Sequence, residues 1–84
     1  MIIKILSDDG VISVVSPLSI SIDSDDQYVF LVCEFGSNYA DLHIRMPSVE
    51  VAKSIIEKIY EDGRCDLSVF KSHFHTIGFP CDLG

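Results

Sequence analysis

The sequence predicts an α+β fold: an antiparallel sheet of four to five strands packed on one amphipathic α-helix, followed by an irregular apolar C-terminal tail. Three observations carry this expectation. Residues 1 to 46 are rich in β-branched and aromatic types, alternate in polarity, and are punctuated by turn residues. Residues 48 to 62 change to helical spacing, with a polar cap before and a glycine after. Residues 66 to 84 hold room for one short strand and then a tail with no clean period.

The first strand is Ile2 to Leu6, and Ser7-Asp8-Asp9-Gly10 is a turn because an Asp-Gly pair readily adopts positive φ. Val11 to Val15 returns as its hairpin partner. Pro17 lacks an amide donor and ends or bends that strand, after which Ser19-Ile20-Ser21-Ile22-Asp23 alternates strictly. The stretch from 11 to 22 is therefore one bent strand or two.

Asp23-Ser24-Asp25-Asp26 is a polar turn, and Tyr28 to Phe35 is the most β-prone segment of the chain. Tyr28, Phe30 and Val32 point to one side of this strand, and Val29, Leu31, Cys33 and Phe35 to the other. Both of its faces are apolar, so both call for cover. After the Gly36-Ser37-Asn38 turn, Leu42, Ile44 and Met46 alternate with Asp41, His43 and Arg45, a strand with one wet face that belongs nearer a sheet edge.

Ser48 is placed to cap a helix N-terminus, Glu50 complements its dipole, and Gly63 stops it. Val49, Ala52, Ile55, Ile56, Ile59 and Tyr60 form its apolar stripe. Asp66 to Phe70 is read as a last short strand. Phe70, Phe74, Ile77, Phe79 and Leu83 make the tail too apolar to stay in water, so it is expected to dock.

The chain has 84 residues, enough for one hydrophobic core and too few for two. An apolar fraction of 48% offsets the ordering entropy and excludes a disordered chain. The formal charge of -7 argues against direct nucleic-acid binding, since neutralising phosphates needs surplus Lys and Arg, and points to a basic protein instead. The N-terminal apolar run is broken by Lys4, Asp8, Asp9 and Gly10, and no run reaches membrane-spanning length. Three cysteines without the dense spacing of a stapled scaffold fit a reducing, cytoplasmic setting, with no membrane association expected.

The donors Cys65, His73, His75 and Cys81 are of types that suit zinc, but no Cys-x2-Cys pair is present, and the two histidines read equally as ordinary surface residues. Asp23, Asp25 and Asp26 lack the downstream glycine and glutamate of a calcium loop. Cys33 falls in a core-like strand where a thiol acts as a small hydrophobe. Cys65 follows the helix C-terminus, the end of the dipole that disfavours a thiolate. Neither a nucleophile elbow, a phosphate-cradling glycine loop nor a dinucleotide fingerprint occurs, so no catalytic residue, cofactor or enzymatic activity is expected.

The order of strands, Asp9-Gly10 hairpin, acidic turn and a helix reading Ser-Val-Glu-Val-Ala-Lys-Ser-Ile-Ile-Glu-Lys-Ile-Tyr from Ser48 to Tyr60 resembles small acidic proteins encoded by bacteria and their phages. The resemblance spans residues 1 to 62 as a pattern. In size and charge the chain is also similar to phage inhibitors of host defence, anti-CRISPR proteins among them, which implies a location in the host cytoplasm. The expectation is a non-catalytic interaction module, an inhibitor or adaptor, meeting a basic partner through Asp8, Asp9, Asp23, Asp25, Asp26, Tyr28 and Phe30. A metal-stabilised module and a homodimeric structural domain are the alternatives.

Overall fold

Turn chemistry and alternation divide residues 1–75, the part of the chain that the computed structural model describes, into seven strands and one helix. They are β1 (Ile2–Leu6), β2 (Ile12–Val15), β3 (Ser19–Ser24), β4 (Val29–Glu34), β5 (Asp41–Met46), α1 (Val49–Asp62), β6 (Arg64–Asp66) and β7 (Ser72–His75). The α+β class with a single amphipathic helix stands. The strands divide more finely than one sheet, into a three-stranded sheet ordered β2-β1-β6 and a four-stranded sheet ordered β3-β4-β5-β7.

The division occurs at Pro17, which is buried. Having no amide to extend the β1–β2 ladder, it releases the chain, and the amide of Leu18 starts the second sheet by donating to the Glu34 carbonyl at 2.7 Å. Residues 11 to 22 are thus two strands in two sheets. The β1–β2 hairpin closes at Gly10, whose φ of 85° suits a residue without a Cβ and whose amide donates to the Ser7 carbonyl at 2.9 Å. β6 joins β1 from its other side and runs parallel to it, which the helix crossing between them permits.

Helix α1 starts where Ser48 accepts the Val51 amide on its hydroxyl at 3.2 Å. It ends where Gly63, at a φ of 77°, donates its amide to the Ile59 carbonyl at 2.7 Å. Its Ala52 and Ile59 are buried, and Val51, Ile55 and Ile56 pack beside them. Tyr60, expected in the apolar stripe, is exposed. The helix lies against β3, β4 and β5 of one sheet and β6 of the other, so a single core forms from Ile3, Ile5, Leu31, Cys33, Leu42, Ile44, Met46 and these helix residues.

Two expectations at the C-terminal end are corrected. Residues 66 to 70 do not make a ladder strand of their own. The strand is Arg64–Asp66, and the chain then turns, with the Asp66 carboxylate accepting from the amide and hydroxyl of Ser68 at 3.0 and 2.6 Å, so that Leu67 is buried by a turn. Ser72–His75 in turn forms β7, which pairs with β5 and displaces it from the edge expected for it. The period was hidden because the core-facing position is a serine: Ser72 is buried and donates its hydroxyl to the Leu6 carbonyl at 2.7 Å, tying the two sheets together. The docking expected of the tail falls on residues from 76 onward, which lie outside the described residues.

Candidate functional site: the helix-free face of the four-stranded sheet

Alternation along each strand sorts side chains between the core and the opposite face. β4 turns Val29, Leu31 and Cys33 toward the helix and Phe30, Val32 and Glu34 away from it. β5 turns Leu42, Ile44 and Met46 inward and Asp41, His43 and Arg45 outward. Register then aligns the outward residues in rows. Ser21, Val32, His43 and His73 are successive cross-strand neighbours, and Asp23, Phe30 and Arg45 form the next row.

These rows make a cluster of rings. The Phe30 ring centroid lies 6.1 Å from Tyr28, 5.6 Å from His43 and 6.2 Å from His73, with the last pair edge to face. His43 and His73 are themselves 5.6 Å apart. The Arg45 guanidinium sits 4.2 Å over the centre of the Tyr28 ring, where the negative face of the ring attracts it. Among the described residues no helix or strand lies over this face. Tyr28 and Arg45 also form one wall of a groove of about 470 Å³, whose other wall is Val69, Phe70 and Lys71.

The acidic turn beside the cluster is built to hold Tyr28. The Asp25 carboxylate accepts the amides of Gln27 and Tyr28, both at 2.8 Å, and these bonds hold its pKa below the ordinary carboxylate value. Asp23 faces Phe30 across the ladder, and Asp26 is exposed. Five of the expected contact residues, Asp23, Asp25, Asp26, Tyr28 and Phe30, therefore come together. Asp8 and Asp9 sit on the β1–β2 turn of the other sheet, where the Ser7 hydroxyl donates to Asp9 and lowers its pKa. The Ser7–Ser72 bridge ties that turn to the start of β7, and the Arg45 amide donates to the carbonyl of the adjacent Lys71 at 2.9 Å.

Sequence reading missed His43, Arg45 and His73 as members of one site. The signal was present in part, since Asp41, His43 and Arg45 define the wet side of a strand. Register was absent, and only register sets that side beside the second apolar face of β4 and beside β7.

The four proposed zinc donors are not assembled by the described residues. Cys65, opposite buried Ile3 on β6, packs against the core, whereas His73 projects from the far side of the other sheet. Cys81 lies outside the described residues. Among the described residues no group of three His, Cys, Asp or Glu side chains is close enough to hold a metal ion. Burial pushes the Cys33 thiol up to about 12, and burial likewise raises Cys65 against the opposing pull of the Lys58 ammonium. Both are free thiols, and burial favours the neutral form at each. Among the described residues no helix is long and apolar enough to cross a membrane. No protein-family profile matches the chain, and neither curated proteins nor solved structures include one significantly similar to it.

Proposed function

We propose that this domain is a non-catalytic protein-interaction module, an inhibitor or adaptor, that meets a basic protein partner through the helix-free face of its four-stranded sheet. The observation that supports the reading is the ring cluster of Tyr28, Phe30, His43 and His73 on a face that no helix or strand among the described residues covers. Aromatic side chains and Arg are enriched among the residues that dominate interface energetics, the rings because they bury much area on few rotatable bonds. Around them stand Asp23, Asp25, Asp26, Glu34 and Asp41, a rim that suits a cationic surface. Such a rim chiefly raises the association rate and orients the encounter. The phage-inhibitor resemblance in size and charge points the same way, toward a protein target in the host cytoplasm.

Affinity capture from host lysate tests the reading, using the parent chain and its Phe30→Ala variant at low and high salt. The parent retains a basic protein at low salt, loses it as ionic strength shortens the screening length, and the variant retains none. Recovery of no protein at low salt, or equal recovery by the variant, contradicts it. A solution mass twice that of the chain, reduced to one chain by Phe30→Ala, would put a second copy on the face instead.

A further inference from the structure

We infer that the edge of β2 turned away from β1 pairs with the same edge of a second copy of this chain, joining two three-stranded sheets into one of six strands. The direction of the backbone groups along β1 locates that edge. The Ile2 amide donates to the Gly63 carbonyl at 2.9 Å and the Lys4 carbonyl accepts the Leu67 amide at 2.8 Å, so residues 2 and 4 turn their polar groups toward β6. Residues 3 and 5 then turn theirs toward β2, where Val15 and Ser13 are their register partners. Ile12 and Val14 alternate with these and point N–H and C=O away from β1, to a side with which no strand pairs among the described residues. Edge strands are commonly blunted by a lysine or a proline within the strand. β2 has neither, and its Ile12 and Val14 are 59% and 67% exposed.

The charge pattern selects the occupant. No charged residue occurs from Val11 to Ile22, although the chain carries a net charge of -7. An uncharged strand gives a basic partner nothing to pair with, whereas an identical strand matches it. With Ser13 on a two-fold axis, Ile12 of each copy exchanges backbone bonds with Val14 of the other, and their apolar side chains meet across the join. This antiparallel register sets Asp9 opposite Pro17 of the second copy and holds the two Asp8-Asp9 turns roughly 27 Å apart, well beyond the screening length of ~8 Å. A parallel pairing would set those turns side by side. The edge belongs to the three-stranded sheet and does not involve Phe30, so the pairing is independent of the face proposed to meet a basic protein.

Sedimentation equilibrium of the full-length, untagged chain over a wide concentration range, with amide hydrogen exchange followed at the same concentrations, tests the pairing. The mass rises from one chain to two, and exchange at the Ile12 and Val14 amides slows as it does, whereas the Ser13 and Val15 amides are protected by β1 in the single chain already. Val14→Pro removes a donor that β1 does not use, and Val14→Lys returns a charge to the edge. Both, checked for folding by circular dichroism, stay at one chain throughout, and Val14→Lys with the exchange data decides the matter if Val14→Pro does not fold. Phe30→Ala reaches two chains as the parent does. A parent mass of one chain at every concentration, exchange at Ile12 and Val14 that ignores concentration, two chains in a folded Val14 variant, or loss of the second chain in Phe30→Ala overturns the pairing. Capture of a basic protein by Val14→Lys at the parent's level would separate this result from the interaction reading.

Discussion

The two faces of the four-stranded sheet are made by the same strands, yet they follow different physics. On one, Leu31, Cys33, Leu42 and Ile44 are wholly removed from water beneath the helix and the second sheet. On the other, the Phe30 ring packs among the imidazoles of His43 and His73, and the Arg45 guanidinium lies over Tyr28. The covered face is where burial stabilises the fold. The helix-free face carries groups whose removal is expected to cost little stability, and it is the face proposed to meet a partner. A strand apolar on both sides, β4, is shared between these two demands.

The largest expected effect lies on the covered side. Ile44→Ala leaves a cavity at a fully buried position and should cost about 2–5 kcal/mol, read as a lower denaturant midpoint. Truncating the helix cap comes next. Ser48→Ala removes the acceptor for the Val51 amide and should cost about 1 kcal/mol, with faster hydrogen exchange at the first turn of α1. Phe30→Ala, on the open side, should cost about 1 kcal/mol or less while abolishing capture of the partner. A larger loss of stability for Phe30→Ala than for Ile44→Ala would erase the distinction between the faces.

The smallest effect is electrostatic. Asp25 has a folded pKa depressed by its bonds to the amides of Gln27 and Tyr28. Its contribution to stability is therefore full above the unfolded value near 3.8 and is lost as pH falls through the lower folded value. Acid titration of stability should show a shallower decline below pH 3.8 in Asp25→Asn than in the parent. An unchanged slope would mean that the turn does not hold Tyr28 through its charge.

Much of this architecture is legible in the residues themselves, for local reasons. The Asp9-Gly10 turn, the Ser48 and Gly63 caps and the two-sided apolar strand each follow from one segment's own chemistry. What the sequence leaves open depends on partners distant along the chain. β7 is concealed because its buried position is Ser72, satisfied by a carbonyl 66 residues away in sequence. The open face is concealed for a related reason: Tyr28, Phe30, His43, Arg45 and His73 belong to separate segments, and only strand register makes them neighbours.

The central claim is that the open face is the contact surface. A photo-crosslinking phenylalanine derivative placed at position 30, and in a second chain at exposed Lys53 on α1, tests it most directly in host lysate. The account predicts one basic protein crosslinked from position 30 and none from position 53. Crosslinking from position 53 alone, or equally from both, would contradict it.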